Sequence, residues 1–229
     1  MNTNFTKEND KDNVILFLHG WGCDSEIFAP ITTLMYHSTN LRVDLWGFGK
    51  SQSPPCAWDV IDYARQLKIF LKGCEIDKCH VVAHSFGGRV AIAFACLYPD
   101  MVQKMVLFSS AGLKRFSLVK TIKQTFHKIA KKFDKNRVAG SLDFHATPQH
   151  LKGTFIKVVN QDLTKYAKQI SAPTLLVYGK KDSATPLWMG KKLHRLIKNS
   201  KLIVTKGDHF EFATYVQKTA DLIEDFIFD

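Results

Sequence analysis

The sequence predicts an α/β domain: a mostly parallel sheet of about six strands with helices on both faces and one helical insertion. Three observations carry that expectation. Short β-branched apolar runs recur along the 229 residues, stretches with helical spacing lie between them, and the alternation breaks once, between Gly112 and Ile170.

The strand candidates, in order, are Val14–Leu18, Leu41–Leu45, His80–Ala83, Met105–Phe108, Thr174–Tyr178 and Leu202–Thr205. Each is too short for a helix and apolar on successive residues, as strands covered on both faces are. Over 59–72, Val60, Tyr63, Leu67, Phe70 and Leu71 fall on one stripe, and over 212–227 Tyr215, Val216, Ala220, Ile223 and Phe226 do the same. A further helix is expected from near Gly87 to Pro99, whose ring cannot continue it, and another with Pro186 in its first turn. Only 13 mostly polar residues precede Val14, so the front of the sheet is expected to have a weak or missing hairpin, with Leu41–Leu45 near an edge.

Inside the break, Leu118, Val119, Ile122, Phe126, Ile129, Ala130 and Phe133 recur at three- and four-residue intervals with lysines on the other side. A basic amphipathic helix is therefore expected there. The organisation that follows is a single domain over 1–229, with core residues 14–112 and 171–229 and a helical cap at 113–170.

Composition narrows the class. Hydrophobic content of 45% and aromatic content of 12% argue against a disordered, collagen-like or coiled-coil chain. The longest apolar run, Val90 to Tyr98, falls far short of the roughly 20 residues of a spanning helix. Residues 2–13 hold Lys7, Glu8, Asp10, Lys11 and Asp12 with no apolar core of a secretory signal, so a cytoplasmic location is expected. The cysteines Cys23, Cys56, Cys74, Cys79 and Cys96 read as reduced thiols, since Cys74 and Cys79 have no second Cys/His pair to complete a zinc site. The formal charge is +11, and the stretch Lys114 to Arg137 holds nine basic residues against Asp134 alone. That helix is a candidate for weak association with anionic membrane through 114–137, or a roof over a pocket showing its lysines to water. No nucleic-acid motif accompanies the charge, and no nucleic-acid partner is expected.

The chemistry is carried by four motifs. In His80-Val81-Val82-Ala83-His84-Ser85-Phe86-Gly87-Gly88 an apolar strand runs into Ser85 and directly into a helix. So sharp a turn needs small residues two places away on each side, and Ala83 and Gly87 supply them. It lifts the serine hydroxyl clear of the sheet and aims the Phe86 N–H at a developing oxyanion. In Leu18-His19-Gly20-Trp21-Gly22, glycines on both sides of Trp21 let its N–H face the same point. Each such donor contributes about 3 kcal/mol to a tetrahedral intermediate. Tyr178-Gly179-Lys180-Lys181-Asp182 puts a carboxylate after a late strand, and Lys206-Gly207-Asp208-His209-Phe210 a histidine after the last one. His19 and His84 read as structural hydrogen-bonding groups around the elbow and the oxyanion loop.

These motifs, in this order, resemble the α/β-hydrolase fold superfamily from Val14 to the C-terminus. The turn Val43-Asp44-Leu45-Trp46-Gly47-Phe48-Gly49-Lys50-Ser51 also resembles that family's Asp-x-x-Gly-x-Gly-x-Ser, with Trp46 where proline is common and Ala83 where the elbow usually has glycine. The resemblance implies Ser85 as nucleophile, Asp182 as orienting acid, His209 as general base, and Trp21 and Phe86 as oxyanion amides. An acid after the Met105–Phe108 strand serves some members, but here that place reads Ser109-Ser110-Ala111-Gly112. A serine at position 85 argues against the haloalkane dehalogenases and epoxide hydrolases, which use aspartate, and the dienelactone hydrolases, which use cysteine. What the resemblance implies is acyl transfer to water on a small-molecule ester, with no cofactor and no metal. The same motifs fit a carbon–carbon bond hydrolase of diketones, with Arg89 or a cap lysine as anion site, a lysophospholipase-like lipid esterase, or a non-catalytic ligand receptor.

Overall fold

The computed structural model describes residues 1–114 and 142–229. One seven-stranded sheet runs in the order β1-β3-β2-β4-β5-β6-β7. The strands are β1 (Phe5–Glu8), β2 (Val14–Leu18), β3 (Thr39–Val43), β4 (Cys79–His84), β5 (Val102–Phe108), β6 (Thr174–Gly179) and β7 (Ser200–Thr205). All pairs are parallel except β1 with β3. The helices are α1 (Ala29–Thr32), α2 (Val60–Gly73), α3 (Phe86–Leu97), α4 (Leu142–Ala146), α5 (Lys152–Asn160), α6 (Thr164–Ala167), α7 (Leu187–Leu196), α8 (Glu211–Thr214) and α9 (Val216–Phe228).

Alternation along the strands divides the core in two. Leu16, Leu18, Val81 and Ala83 face α2, α3 and α7, whereas Ile15, Phe17, Val82 and Val106 face Ile31 of α1 and Ile223 of α9. The α2 helix starts where expected because Asp59 accepts hydrogen bonds from the Ile61 and Asp62 N–H groups while Asp62 accepts from the Asp59 N–H. It buries the stripe Val60, Tyr63, Leu67, Phe70 and Leu71.

The front of the sheet adds one strand to the six expected and leaves β3 next to an edge. Among the described residues no hairpin pairs with β2, but Phe5–Glu8 pairs antiparallel with β3, giving a seventh strand and covering what would otherwise be an edge. Polar groups rather than an apolar run hold it, which is why hydropathy does not reveal it. Asn4 Nδ2 donates to Asp44 (2.8 Å), the Asn4 N–H donates to Ser51 Oγ (2.8 Å), and Glu8 pairs with the buried Arg42 at 2.9 Å. The second predicted strand, β3, also begins two residues earlier than expected, at Thr39.

Between Gly112 and Ile170 the described residues contain α4, α5 and α6 and no strand. The basic helix expected within 114–137 lies outside the described residues, apart from Lys114. Among the described residues no helix is long and apolar enough to cross a membrane.

The turn after β3 is organised by Asp44. Its carboxylate accepts from the N–H groups of Ser25 and Lys50, both at 2.8 Å, as well as from Asn4. Burial raises its pKa, but these hydrogen bonds outweigh that and hold it below the usual carboxylate value. A Cβ on Gly49, at φ +52°, would stand 2.2 Å from Asp44 Oδ2, so the turn closes only around a glycine. Asp44→Ala strands several buried donors and is expected to cost about 2–3 kcal/mol, measured by urea denaturation at pH 7.

Candidate active site

Register decides what stands at the carboxyl ends of the strands. Leu18, Ala83, Leu107, Leu176 and Leu202 form one row across β2, β4, β5, β6 and β7. The residues just beyond that row, from His19 to Ser85 and Ser109, are therefore neighbours although far apart in sequence.

Ser85 sits between β4 and α3 with φ +50° and ψ −106°, a left-handed conformation that costs a non-glycine residue about 1 kcal/mol or more. Its N–H donates to the Phe108 carbonyl and its own carbonyl accepts from the Ala111 N–H, each at 3.1 Å, so the strained turn is clamped from β5. The helix can start this abruptly only because a Cβ on Gly87 would lie 2.2 Å from the Leu18 carbonyl oxygen and one on Gly88 would lie 2.2 Å from Ser110 Oγ. Phe86 is the first residue of α3, so its N–H has no acceptor within the helix.

The loop from Gly20 to Gly22 lies against this elbow. A Cβ built on Gly20 would approach Ser85 Cβ to 3.5 Å and His84 Nδ1 to 2.8 Å. The indole of Trp21 turns away from the serine: Nε1 donates to Thr147 Oγ1 at 3.0 Å, and the ring packs edge-on against Phe48, Phe86 and Phe155. The helical segment from α4 to α5 is thus fastened over the loop.

Asp182 and His209 meet as the sequence predicts, with Nδ1 of His209 2.8 Å from Oδ2. The carboxylate is fully enclosed, its side chain 0% exposed, and the imidazole is 17% exposed. Burial pushes the Asp182 pKa up, but hydrogen bonds from His209, from the Thr185 hydroxyl and N–H, and from the Ser109 side chain outweigh it and hold the group far below the ordinary carboxylate range. The Ala184 and Thr185 N–H groups reach Oδ1 at 2.9 and 2.8 Å, and Thr185 Oγ1 donates to Oδ2 at 2.6 Å.

His84, immediately before the nucleophile candidate, joins the two halves of the site. Its Nε2 donates to the His209 carbonyl at 3.0 Å, and the two rings lie 4.6 Å apart. Burial, then the neighbouring His209, pushes its pKa down to about 3, so it is neutral. His19 is also neutral: burial lowers its pKa, Nε2 accepts from the Leu45 N–H, and Nδ1 donates to the Gly20 carbonyl. Both histidines have the structural roles expected of them.

Sequence reasoning missed two participants. Thr185 carries a local signal, a hydroxyl three residues after an aspartate, which is the spacing of a turn closed on the Asp side chain. Ser109 carries none; it ends β5 at φ +46°, and only sheet register brings it to Asp182. Arg89 does not serve as a free anion site. It is buried in α3, and Nη1 donates to the carbonyls of Val158 (2.9 Å) and Gln161 (3.1 Å), tying the end of α5 to the core.

A strand-turn-helix serine, an adjacent glycine-flanked loop and a carboxylate–imidazole pair define a hydrolase-type site on a mostly parallel sheet. The chain belongs to the alpha/beta hydrolase fold family, whose model matches residues 13–137; a second, described as TAP-like protein, matches 154–228. It is 27% identical over 243 residues to a pimeloyl-[acyl-carrier protein] methyl ester esterase of Neisseria meningitidis, covering 93% of this chain and 92% of that one. With the enzyme of the same name from Wigglesworthia glossinidia brevipalpis it is 25% identical over 248 residues, 93% of each chain. Its fold is similar to that of the enol-lactonase from Burkholderia xenovorans LB400, with TM-score 0.79, 17% identity, and coverage of 99% of this chain and 96% of that one. The family match makes this chain an alpha/beta hydrolase, and the two sequence relatives named are esterases.

Because the folded Asp182 has a lowered pKa, its hydrogen bonds contribute stability above the ordinary value of 3.8, and that contribution is lost as pH falls through the folded value. Asp182→Asn is expected to cost about 1–3 kcal/mol at pH 7. The gap from wild type should begin to narrow in urea melts below about pH 4 and go on narrowing as the pH falls further.

Proposed function

We propose that this chain is a serine hydrolase that cleaves small or medium acyl esters through an acyl-enzyme. Ser85 is the nucleophile, His209 the general base, Asp182 the acid that orients it, and the N–H groups of Trp21 and Phe86 the oxyanion donors. The observation that carries this reading is the enclosed Asp182–His209 pair at 2.8 Å, presented at the same end of the sheet as a serine held at φ +50°.

The chemistry follows from the hydrogen-bond directions. With Nδ1–H committed to Asp182, the Nε2 lone pair of His209 takes the Ser85 proton as Oγ attacks the ester carbonyl. Negative charge on the carbonyl oxygen is met by the two amides; the alcohol leaves with the proton from Nε2. Water then gives a proton to the same nitrogen, attacks the acyl-enzyme and releases the acid, and Ser85 regains its proton from His209. Asp182 remains ionised throughout, consistent with its depressed pKa.

The methyl ester esterases among the relatives support a small alcohol as leaving group. We read residues 113–170 as a cap forming the pocket roof, with Thr147 and Phe155 against Trp21 as its described contacts. The engagement of Arg89 by two backbone carbonyls removes it as the cation that carbon–carbon cleavage needs for the substrate's anionic group, which leaves only a cap lysine for that reading.

Purified protein is expected to hydrolyse p-nitrophenyl acetate and butyrate and short methyl esters. Ser85→Ala and His209→Ala should each lower kcat/KM by about 10⁴-fold or more, with the double variant no worse than either single one. Turnover that persists in Ser85→Ala, or no turnover of any ester by folded wild type, would sink the reading.

A further inference from the structure

We infer that Thr185 is a positioning residue of the proposed reaction, its hydroxyl sharing Asp182 Oδ2 with His209 and thereby setting both the orientation of the imidazole and the basicity of the carboxylate. The inference rests on the triad reading above and adds a group to it.

Three atoms form a closed triangle. His209 Nδ1 lies 2.8 Å from Asp182 Oδ2, Thr185 Oγ1 lies 2.6 Å from the same oxygen, and Oγ1 lies 3.2 Å from Nδ1. A hydroxyl has one proton and two lone pairs. Since the ionised carboxylate can only accept, that proton points at Oδ2, which leaves a lone pair of Oγ1 facing the Nδ1–H. The imidazole proton is then held between two acceptors, which favours the tautomer with a free Nε2 and fixes the plane of the ring.

The triangle is itself rigid. The Thr185 N–H donates to Oδ1 at 2.8 Å, so one residue grips both oxygens of the carboxylate, and its side chain is enclosed with the residue 3% exposed. Ser109 adds a side-chain hydrogen bond from the end of β5, from a backbone at φ +46° that a non-glycine residue adopts only when its surroundings impose it. Each donor withdraws charge from the carboxylate, so an Asp182 with fewer donors would hold the imidazolium more tightly. Thr185 therefore sets how much charge the carboxylate presents to the imidazole.

The test removes the hydroxyl and nothing charged. The titratable groups on the neighbouring elements are His84, Tyr178, Lys180, Lys181, Asp208, Glu211 and Lys218, and all remain. Thr185→Val, nearly isosteric, is expected to lower kcat for p-nitrophenyl acetate about tenfold with KM little changed. The acid limb of its kcat/KM profile should move up by about half a pH unit, and Thr185→Ser should restore both. A second readout needs no turnover: in ¹⁵N-histidine NMR the His209 titration midpoint should rise in Thr185→Val, or in Thr185→Ala if the valine variant does not fold, and stay at the wild-type position in Thr185→Ser. Unmoved midpoint and acid limb in a folded variant without the hydroxyl would overturn the inference. Ester turnover that survives Ser85→Ala would instead overturn the triad reading, with the NMR titration still reporting on the triangle.

Discussion

The site depends on the closeness with which α3 meets the ends of β2 and β5. At Gly87 and Gly88 no Cβ intervenes, and one added at either place would lie 2.2 Å from a neighbouring oxygen. That approach leaves no room for a loop between β4 and α3, so the single residue at the corner takes up the whole reversal, and Ser85 adopts φ +50°. The strain is held in place by hydrogen bonds to Phe108 and Ala111 from the adjacent strand end. Everything else at the site is arranged around this corner: the Gly20 loop packs on it, and His84 leads into it.

Burial sorts the histidines into roles. His19 and His84 are enclosed, and burial outweighs the pull of Asp44 and Asp24 on the first and of Asp182 on the second, so both stay neutral and act as backbone hydrogen-bonding groups. His209 is partly open to solvent and has the enclosed Asp182 at its back. The difference is one of dielectric and partner, and it sets His209 apart from two histidines within a few ångströms of the same strand ends. Asp182 is the converse case, a carboxylate deep enough to be costly to charge, yet surrounded by enough donors that it stays ionised.

The helical segment is coupled to the core by polar contacts as well as packing. Arg89 holds the carbonyl end of α5, Gln161 accepts from the Val60 N–H at 2.8 Å, and Thr147 accepts from the Trp21 indole. Changes in this segment are therefore felt at the Gly20–Gly22 loop through Trp21, whose ring packs edge-on against both Phe155 and Phe86.

Much of this was legible in the chain. The strands β2, β4, β5, β6 and β7, the helices α2, α3 and α9, and the placement of Ser85, Asp182 and His209 follow from apolar runs, helical stripes and short motifs, because a buried parallel strand and a strand-to-helix corner each impose residue types that must be contiguous in sequence. What sequence did not carry is what depends on groups brought together from a distance. β1 is held by Asn4, Glu8 and Arg42, polar residues whose partners lie some 34 to 47 positions away. Ser109 reaches Asp182 only through the register of β5 on β6, and Arg89 finds its carbonyls 69 and 72 residues on. Local pattern determined the elements and the order of the reactive groups; only the tertiary structure decided which hydroxyls, carbonyls and rings surround them, because hydrogen bonds and dielectric depend on proximity in space and leave no period in the sequence.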